Sequence, residues 1–317
     1  MSNVEARPDE VACGTSTFAG VLQPRDVPLG GPRAMRVRRT LPARERSLIG
    51  PWCFVDHYGP HQVGPGPGMD VPPHPHTGLQ TVSWLFRGEI EHRDSAGVHA
   101  LVRPGELNLM TAGAGICHSE VSTPATTVLH GVQLWVALPD ADRDTARDFV
   151  HYVPSVHARD GARVRVFLGE LAGARSPAPT FTPLLGAQVD LSPGATVAFD
   201  VDSGFEHGVL VDMGRPAAAD TPLGVGELWY QSHGHDQLVL ANPDDGPARV
   251  LVLGGPPFPD PLVMWWNFVG RSHDDIVEYR RLWEARDDRF GSVTGYPGAR
   301  LPAPPLPNAA LRARRNP

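Results

Sequence analysis

The sequence predicts an all-β chain folded as two antiparallel barrels or sandwiches, and three observations carry that expectation. Short apolar runs of strand length recur at spacings of roughly 8–12 residues, each closed by a turn word. The 34 Gly and 34 Pro are dispersed and not periodic, which suits many short strands and excludes collagen and low-complexity linkers. One segment alone carries convincing helical spacing. At 317 residues the chain is too long for a single small barrel, so two units are expected.

Taken in order, residues up to about Thr15 read as frayed. Arg33 to Leu41 (RAMRVRRTL) alternates basic and apolar residues and reads as an exposed strand. Leu48 to Tyr58 is a buried strand candidate through Trp52, Phe54 and Val55. The segment from Gly59 to Pro73 holds four Gly and five Pro and is expected to break regular structure. Within it, Gly64-Pro65-Gly66-Pro67-Gly68 reads as a plain connecting loop. A phosphate loop would lead a strand into a helix and would carry a Lys. From His74 the strand words are LQTVSWLF, GEIEHRD, VHALV, ELNLMTAG, GICHSEVS and TTVLHGVQLWVALP. Arg87-Gly88, Ser95-Ala96-Gly97 and Arg103-Pro104-Gly105 turn between them.

Asp140 to Tyr152 is polar and suits a helical turn or two, so it reads as the link between halves. The second half follows the same manner, with RVRVFLGEL, AQVDLSPGATVAFDVD, HGVLVDMG, GELWYQ, QLVLANPDDG and ARVLVLGG. Ser192-Pro193-Gly194 echoes Arg103-Pro104-Gly105 at a strand–turn–strand position, as a duplicated barrel would. The expected division is residues 1–145 for the first unit and 146–317 for the second. The second would include a helix that starts at a capping box, Ser272-His273-Asp274-Asp275. Ile276, Tyr279, Leu282 and Trp283 give that helix its apolar face. Trp265, Trp266, Phe268 and Trp283 read as packing residues, and the Pro-rich, then basic, tail as a docking or disordered segment.

Composition removes several functions. With 35 acidic against 28 basic residues the net charge is −7, the wrong sign for coating nucleic acid. Every basic residue is Arg. P-loop, Schiff-base and Ser-Lys chemistries, which need an amine, are therefore excluded. No G-x-S-x-G supports a serine hydrolase. Cys13, Cys53 and Cys117 form no C-x-x-C and leave an odd thiol, which fits a reducing compartment. The N-terminus lacks a basic start and apolar core, and no run approaches the roughly 18 apolar residues of a membrane helix. A cytoplasmic protein is expected.

Against this background two words stand out, His74-Pro75-His76 and His118-Ser119-Glu120. Side chains at i and i+2 leave the same face of a strand. Two such strands side by side would point three imidazoles and one carboxylate into a common space. That set leaves one or two octahedral positions open and suits Fe(II), Mn(II), Ni(II) or Cu(II) better than a closed structural zinc. The Gly113-Ala114-Gly115 turn would bend the backbone into the second ligand strand. His233-Gly234-His235 repeats the H-x-H spacing without a partner word. His57, His92 and His130 lie in strands of the metal barrel and could line its cavity, though a solvated or core role is preferred. His207 is a weaker candidate than His233 and His235, and Cys117 reads as a small buried hydrophobe facing away from His118.

Around these ligands the words HPHTGLQTVSWLFRGEIEHRDSAG, RPGELNLMTAGAGICHSEV and GVQLWVALP resemble the pirin family, whose members are bicupins. WWNFVGRSHDDIVEYRRLW and RFGSVTGY resemble its bacterial members. The resemblance implies two cupin (double-stranded β-helix, or jelly-roll) barrels. One metal, usually iron, would sit in the first barrel on His74, His76, His118 and Glu120, and none in the second. It implies a flavonol (quercetin) 2,3-dioxygenase activity for some members, with a small aromatic substrate, dioxygen, and Glu120 as proton acceptor. For others it implies a non-catalytic, metal-dependent regulator of a transcription factor or metabolic enzyme. Two positions depart from the family's usual residues. Thr77 stands where many relatives have Arg. Gln80 stands where they have Glu, the carboxylate position of the general cupin motif. With Glu120 as ligand, the change at Gln80 is expected to alter the surroundings of the metal and not its retention.

Overall fold

The computed structural model describes residues 20–28, 35–63, 68–314 and 316. Two β-barrels lie side by side, each built from one seven-stranded and one four-stranded sheet. In the first, the large sheet runs in the order Asp148–Tyr152, Leu107–Thr111, Leu79–Arg87, Val128–Ala137, Trp52–Gln62, Arg36–Leu41, Arg25–Pro28. The small sheet runs Asp70–His76, Ile116–Ser122, Ile90–Asp94, His99–Val102. The second barrel's large sheet runs Gly20–Leu22, Leu228–Gln231, Glu206–Met213, Ala248–Gly255, Leu185–Leu191, Ala162–Leu168, His157–Arg159. Its small sheet begins Thr196–Asp200, Gln237–Ala241. Neighbouring strands pair antiparallel. The two related turns match: Glu106 N–H donates to Arg103 O and Ala195 N–H to Ser192 O, with Gly105 at φ +74° and Gly194 at +69°. That conformation favours glycine.

Strand alternation sorts the first barrel's large sheet into two faces. Val82, Trp84, Val132, Leu134 and Val136 turn outward and join Phe167, Leu168, Leu210, Leu251 and Leu253 of the second barrel in one core. Ser83, Gln133 and Trp135 turn the other way, into the first barrel's interior. The seam core is pinned by polar contacts that suit buried indoles. Trp52 Nε1–H reaches Leu185 O (3.1 Å) and Gly254 O (3.2 Å), and Trp84 Nε1–H reaches Gln188 Oε1 (2.9 Å). Glu206 of the second barrel pairs with buried Arg46 and accepts from Gly50 N–H at 2.7 Å. Gly208 makes room for the Ile49 side chain of the first barrel: a Cβ there would lie 2.5 Å from Ile49 Cδ1.

The chain does not divide cleanly at residue 145. Gly20–Leu22 crosses to pair with Leu228–Gln231 of the second barrel. Asp148–Tyr152, expected as a link, is an edge strand of the first barrel against Leu107–Thr111; only Asp140–Asp142 is helical, a single 3₁₀ turn. The C-terminal elements return to the first barrel. The hairpin Val263–Trp265/Phe268–Gly270 bridges through Phe268 to Thr77, and Leu301 N–H donates to Pro73 O. The helix His273–Glu284 carries the expected capping box, Ser272 accepting from Asp275 N–H and Asp275 from Ser272 N–H. Ile276, Tyr279 and Trp283 bury in a cluster with Trp265, Trp266, Phe268, Phe290 and Cys117. The tail docks, with Leu262 and Arg314 exchanging backbone hydrogen bonds.

Two local expectations change. The strand from Trp52 continues to Gln62, so Gly59 and Pro60 do not end it, and Asp70–His76 is already strand before His74. Arg36–Leu41 is largely buried, not exposed, because Arg39 forms a two-pronged ion pair with Asp56 (2.7 and 2.8 Å) beneath the Phe54 ring. The frayed reading of residues 1–15 and the loop at 64–67 lie outside the described residues. We expect Trp52→Ala to lower stability by about 3–5 kcal/mol through the cavity it leaves in the seam core. A lower urea midpoint at unchanged slope would report this.

Candidate metal centre

Three strands of the small sheet lay out the site. Ile116–Ser122 pairs on one side with Asp70–His76, setting His118 opposite His74 and Ile116 opposite His76. On its other side it pairs with Ile90–Asp94, setting His118 opposite Asp94 and Glu120 opposite His92. A register shift between His118 and Glu120 moves Glu120 to face Val71, as a bulge does when it re-aims a side chain. The Gly113–Gly115 turn delivers this strand: Gly113 sits at φ +51°, and a Cβ there would lie 1.9 Å from Thr145 O.

His74, His76 and His118 are fully buried, and their ligand atoms lie within 4.8 Å of one another. Glu120 is also fully buried, i+2 from His118. It stands outside that tight group, with Ser83 Oγ 3.4 Å from its Oε1 while the Ser83 hydroxyl donates to the nearer Gln133 Oε1 at 2.9 Å. Backbone carbonyls fix two tautomers. His74 Nδ1–H donates to Pro72 O (2.9 Å) and His76 Nδ1–H to Asn267 O (3.1 Å). Each leaves a lone pair on Nε2, and the buried His74 Nε2 has no hydrogen-bond partner among the described residues.

His118 is short of a proton. Its Nε2 faces His76 Nε2 at 3.1 Å, and its Nδ1 faces His92 Nδ1 at 3.4 Å. His92 in turn donates Nε2–H to Asp94 Oδ2 at 3.0 Å, so its Nδ1 is an acceptor. Asp94 is anchored by Ala96 and Val98 N–H on Oδ1. His118 therefore stands between two acceptors with a single N–H while neutral. Burial pushes all three ligand imidazoles well below their ordinary pKa, which disfavours the imidazolium that would satisfy both. A cation between His74, His76 and His118 resolves the conflict, leaving His118 Nδ1–H to donate to His92. The donor set thus fits a divalent metal, and Asp94–His92 serves as the outer support of its third imidazole.

The sequence reading missed the role of His92 and Asp94. Their i, i+2 spacing on the neighbouring strand was the signal that could have found them. Thr77, at the first departing position, is buried with its hydroxyl 3.4 Å from Val269 O. Gln80 lies three residues from Ser83, hence on the other face of the strand, and donates to Thr111 Oγ1 at 2.9 Å. It lines a cleft of about 330 Å³ with Arg147, Asp148 and Phe181, away from Ser83 and Glu120. Cys117 is buried in the cluster under the C-terminal helix, where desolvation pushes its thiol up to about 11. His233 and His235 are exposed. His57 and His130 face outward to Asp212 of the second barrel.

Two measurements check these assignments. Asp94→Asn, which keeps the Oδ1 acceptor, should weaken metal retention about 10–100-fold with an unchanged circular dichroism spectrum. His207, buried in the second barrel with neither ring nitrogen hydrogen-bonded among the described residues, is pushed down to about 4 by desolvation. Only the unfolded chain then takes up this proton below its ordinary pKa of about 6.5. Its share of stability is therefore lost as pH falls from about 6.5 towards 4. His207→Phe should make the urea midpoint less sensitive to acid over that window.

Residues 34–136 match the Pirin family model, and residues 186–291 match the model of the Pirin C-terminal cupin domain. A Pseudomonas aeruginosa protein named "Putative quercetin 2,3-dioxygenase PA1205" is 43% identical over 284 residues, 89% of each chain. A pirin-like protein of Caulobacter vibrioides is 35% identical over 78% of this chain and 88% of its own. The crystal structure of quercetin 2,3-dioxygenase from Acinetobacter baumannii superposes with a TM-score of 0.87. It is 38% identical and covers 92% of this chain and 97% of its own. With two cupin barrels, family matches in both, and relatives aligned along most of its length, the chain belongs to the pirin family.

Proposed function

We propose that the protein is a flavonol (quercetin) 2,3-dioxygenase-type oxidoreductase that uses one non-haem metal held by His74, His76, His118 and Glu120. Fe(II) is the ion we assign, with Mn, Ni or Cu as the others that this donor set accepts. The observation that carries the reading is the proton shortage at His118, which a cation at the three imidazoles relieves. The names of the P. aeruginosa relative and the A. baumannii structure support the choice of reaction. When bound, such an ion supplies Lewis acidity and one-electron chemistry towards dioxygen.

The chain's own part is to bind, orient and move a proton. Phe54, Met110 and Trp135 give the barrel interior apolar walls. The buried Tyr58 Oη, Asn108 Oδ1 and Gln133 Nε2 have no hydrogen-bond partner among the described residues. Polar atoms so placed suit the several hydroxyls of a flat polyphenol, since buried donors and acceptors demand partners. Glu120 accepts the flavonol hydroxyl proton, and Ser83 Oγ, 3.4 Å from its Oε1, keeps its own hydrogen on Gln133 Oε1 at 2.9 Å. Deprotonation makes the aromatic ring easier to oxidise. We propose a cytoplasmic location, in keeping with the odd count of three cysteines and their lack of a C-x-x-C word.

The test is to load the protein with Fe(II) or each alternative ion, add quercetin and oxygen, and follow flavonol loss and carbon monoxide. Turnover by the parent and its loss, by about 10²-fold or more, in Glu120→Gln is the expected result. His76→Ala should lose both metal and turnover. Full metal occupancy with no turnover for any ion would replace this reading with that of a metal-dependent regulator acting through a protein partner.

A further inference from the structure

A second group of metal-ligating side chains lies at the seam between the barrels. His57 comes from Trp52–Gln62 and His130 from Val128–Ala137, neighbouring strands of the first barrel. Asp212 comes from Glu206–Met213 of the second. His57 Nε2 and His130 Nε2 both point at Asp212 Oδ1, at 2.8 and 2.6 Å, and lie 3.4 Å from each other. The His57 and Asp212 side chains are fully buried, and that of His130 is 12% exposed.

We propose that His57, His130 and Asp212 bind a divalent cation of the zinc type, a second metal site that joins the two barrels. The geometry carries this. A triangle with sides of 3.4, 2.8 and 2.6 Å has a circumradius of about 1.7 Å, shorter than the 2.0–2.1 Å of zinc–nitrogen and zinc–oxygen bonds. An ion about 1 Å off the plane therefore lies within bonding distance of all three atoms, and the two nitrogen–oxygen edges, at 2.8 and 2.6 Å, widen towards the tetrahedral spacing as it binds. The nitrogen pair is spaced like the edge of a tetrahedron with such bonds, about 3.3 Å. It also resembles the 3.1 Å between His76 and His118 Nε2 in the first centre.

The electrostatics agree. Burial keeps His57 neutral, as a ligand must be. Burial opposes the charge on Asp212, but Nε2–H donation from the two imidazoles holds it ionised, down to about 2. An ion takes the place of those two Nε2 protons, which shift to the Nδ1 positions as it binds. Arg249 touches only the far oxygen, Oδ2, at 3.4 Å, and its Nε is held by Asp190 Oδ1 at 2.7 Å. It supports the carboxylate from behind and leaves Oδ1 to the ion. The slightly exposed edge of His130 gives entry and room for a water as fourth ligand.

The experiment counts ions. Protein stripped with a chelator is dialysed against Zn²⁺ and assayed for zinc per chain, for the parent, His130→Ala, His76→Ala and the double variant. The expected counts are two, one, one and none, because imidazole donors also take zinc and the ion fills the first centre of the stripped protein as well. Zinc should also raise the Tm of His76→Ala and leave that of the double variant unchanged, because the seam is the zinc site that His76→Ala retains and the double variant lacks. Two ions retained in His130→Ala, or one in the parent and none in His76→Ala, would overturn the proposal and leave a hydrogen-bonded His–Asp–His triad. Should His76→Ala not fold, the parent against His130→Ala decides alone. Loss of the first centre would show in His76→Ala without changing the count at the seam.

Discussion

The antiparallel register between Asp70–His76 and Ile116–Ser122 is the constraint on which the rest of the molecule depends. It places His118 across from His74, and the bulge that follows swings Glu120 level with Val71. A slip of one residue would turn every one of these side chains to the opposite face of the sheet, with Cys117 and Ser119 brought inward. Several features hold the register. The Gly113 turn admits no side chain on one flank. Ser95 Oγ accepts from Cys117 N–H, and Ser122 Oγ accepts from Met69 N–H on the neighbouring strand.

Much of this was legible in the residues. The two i, i+2 words named the four candidate ligands because a strand has a period of two, and the structure brings the three imidazoles together. The turn words and the capping box of His273–Glu284 were readable because Gly, Pro, Ser and Asp act on their own neighbours. What stayed hidden depends on distant partners. Arg39 looks like a solvated cation in an alternating basic strand. It is buried because Asp56, 17 residues on, meets it. His92 is one of several unremarkable histidines until the register sets it beside His118. Asp148–Tyr152 is too polar to announce itself as a strand, and it is one only because Leu107–Thr111 offers a free edge.

The position of Gln80 illustrates how a motif can mislead when read without its strand. By spacing it stands where cupins often place a carboxylate, which suggested a change in the surroundings of the metal. The alternation of Leu79–Arg87 puts it on the face turned from Ser83, bonded to Thr111. The side chains that do support the candidate ligands, Ser83, His92 and Asp94, come from positions the motif does not mark.

The crossed termini carry a consequence for how such a protein can arise and be handled. Its first described strand completes the second barrel's sheet, and the hairpin Val263–Trp265/Phe268–Gly270 returns to the first barrel beside His76. Each half therefore holds a piece the other needs, as two clasped hands do. Neither half is a module that recombination could lift out whole. The chain is inherited, synthesised and lost as one object.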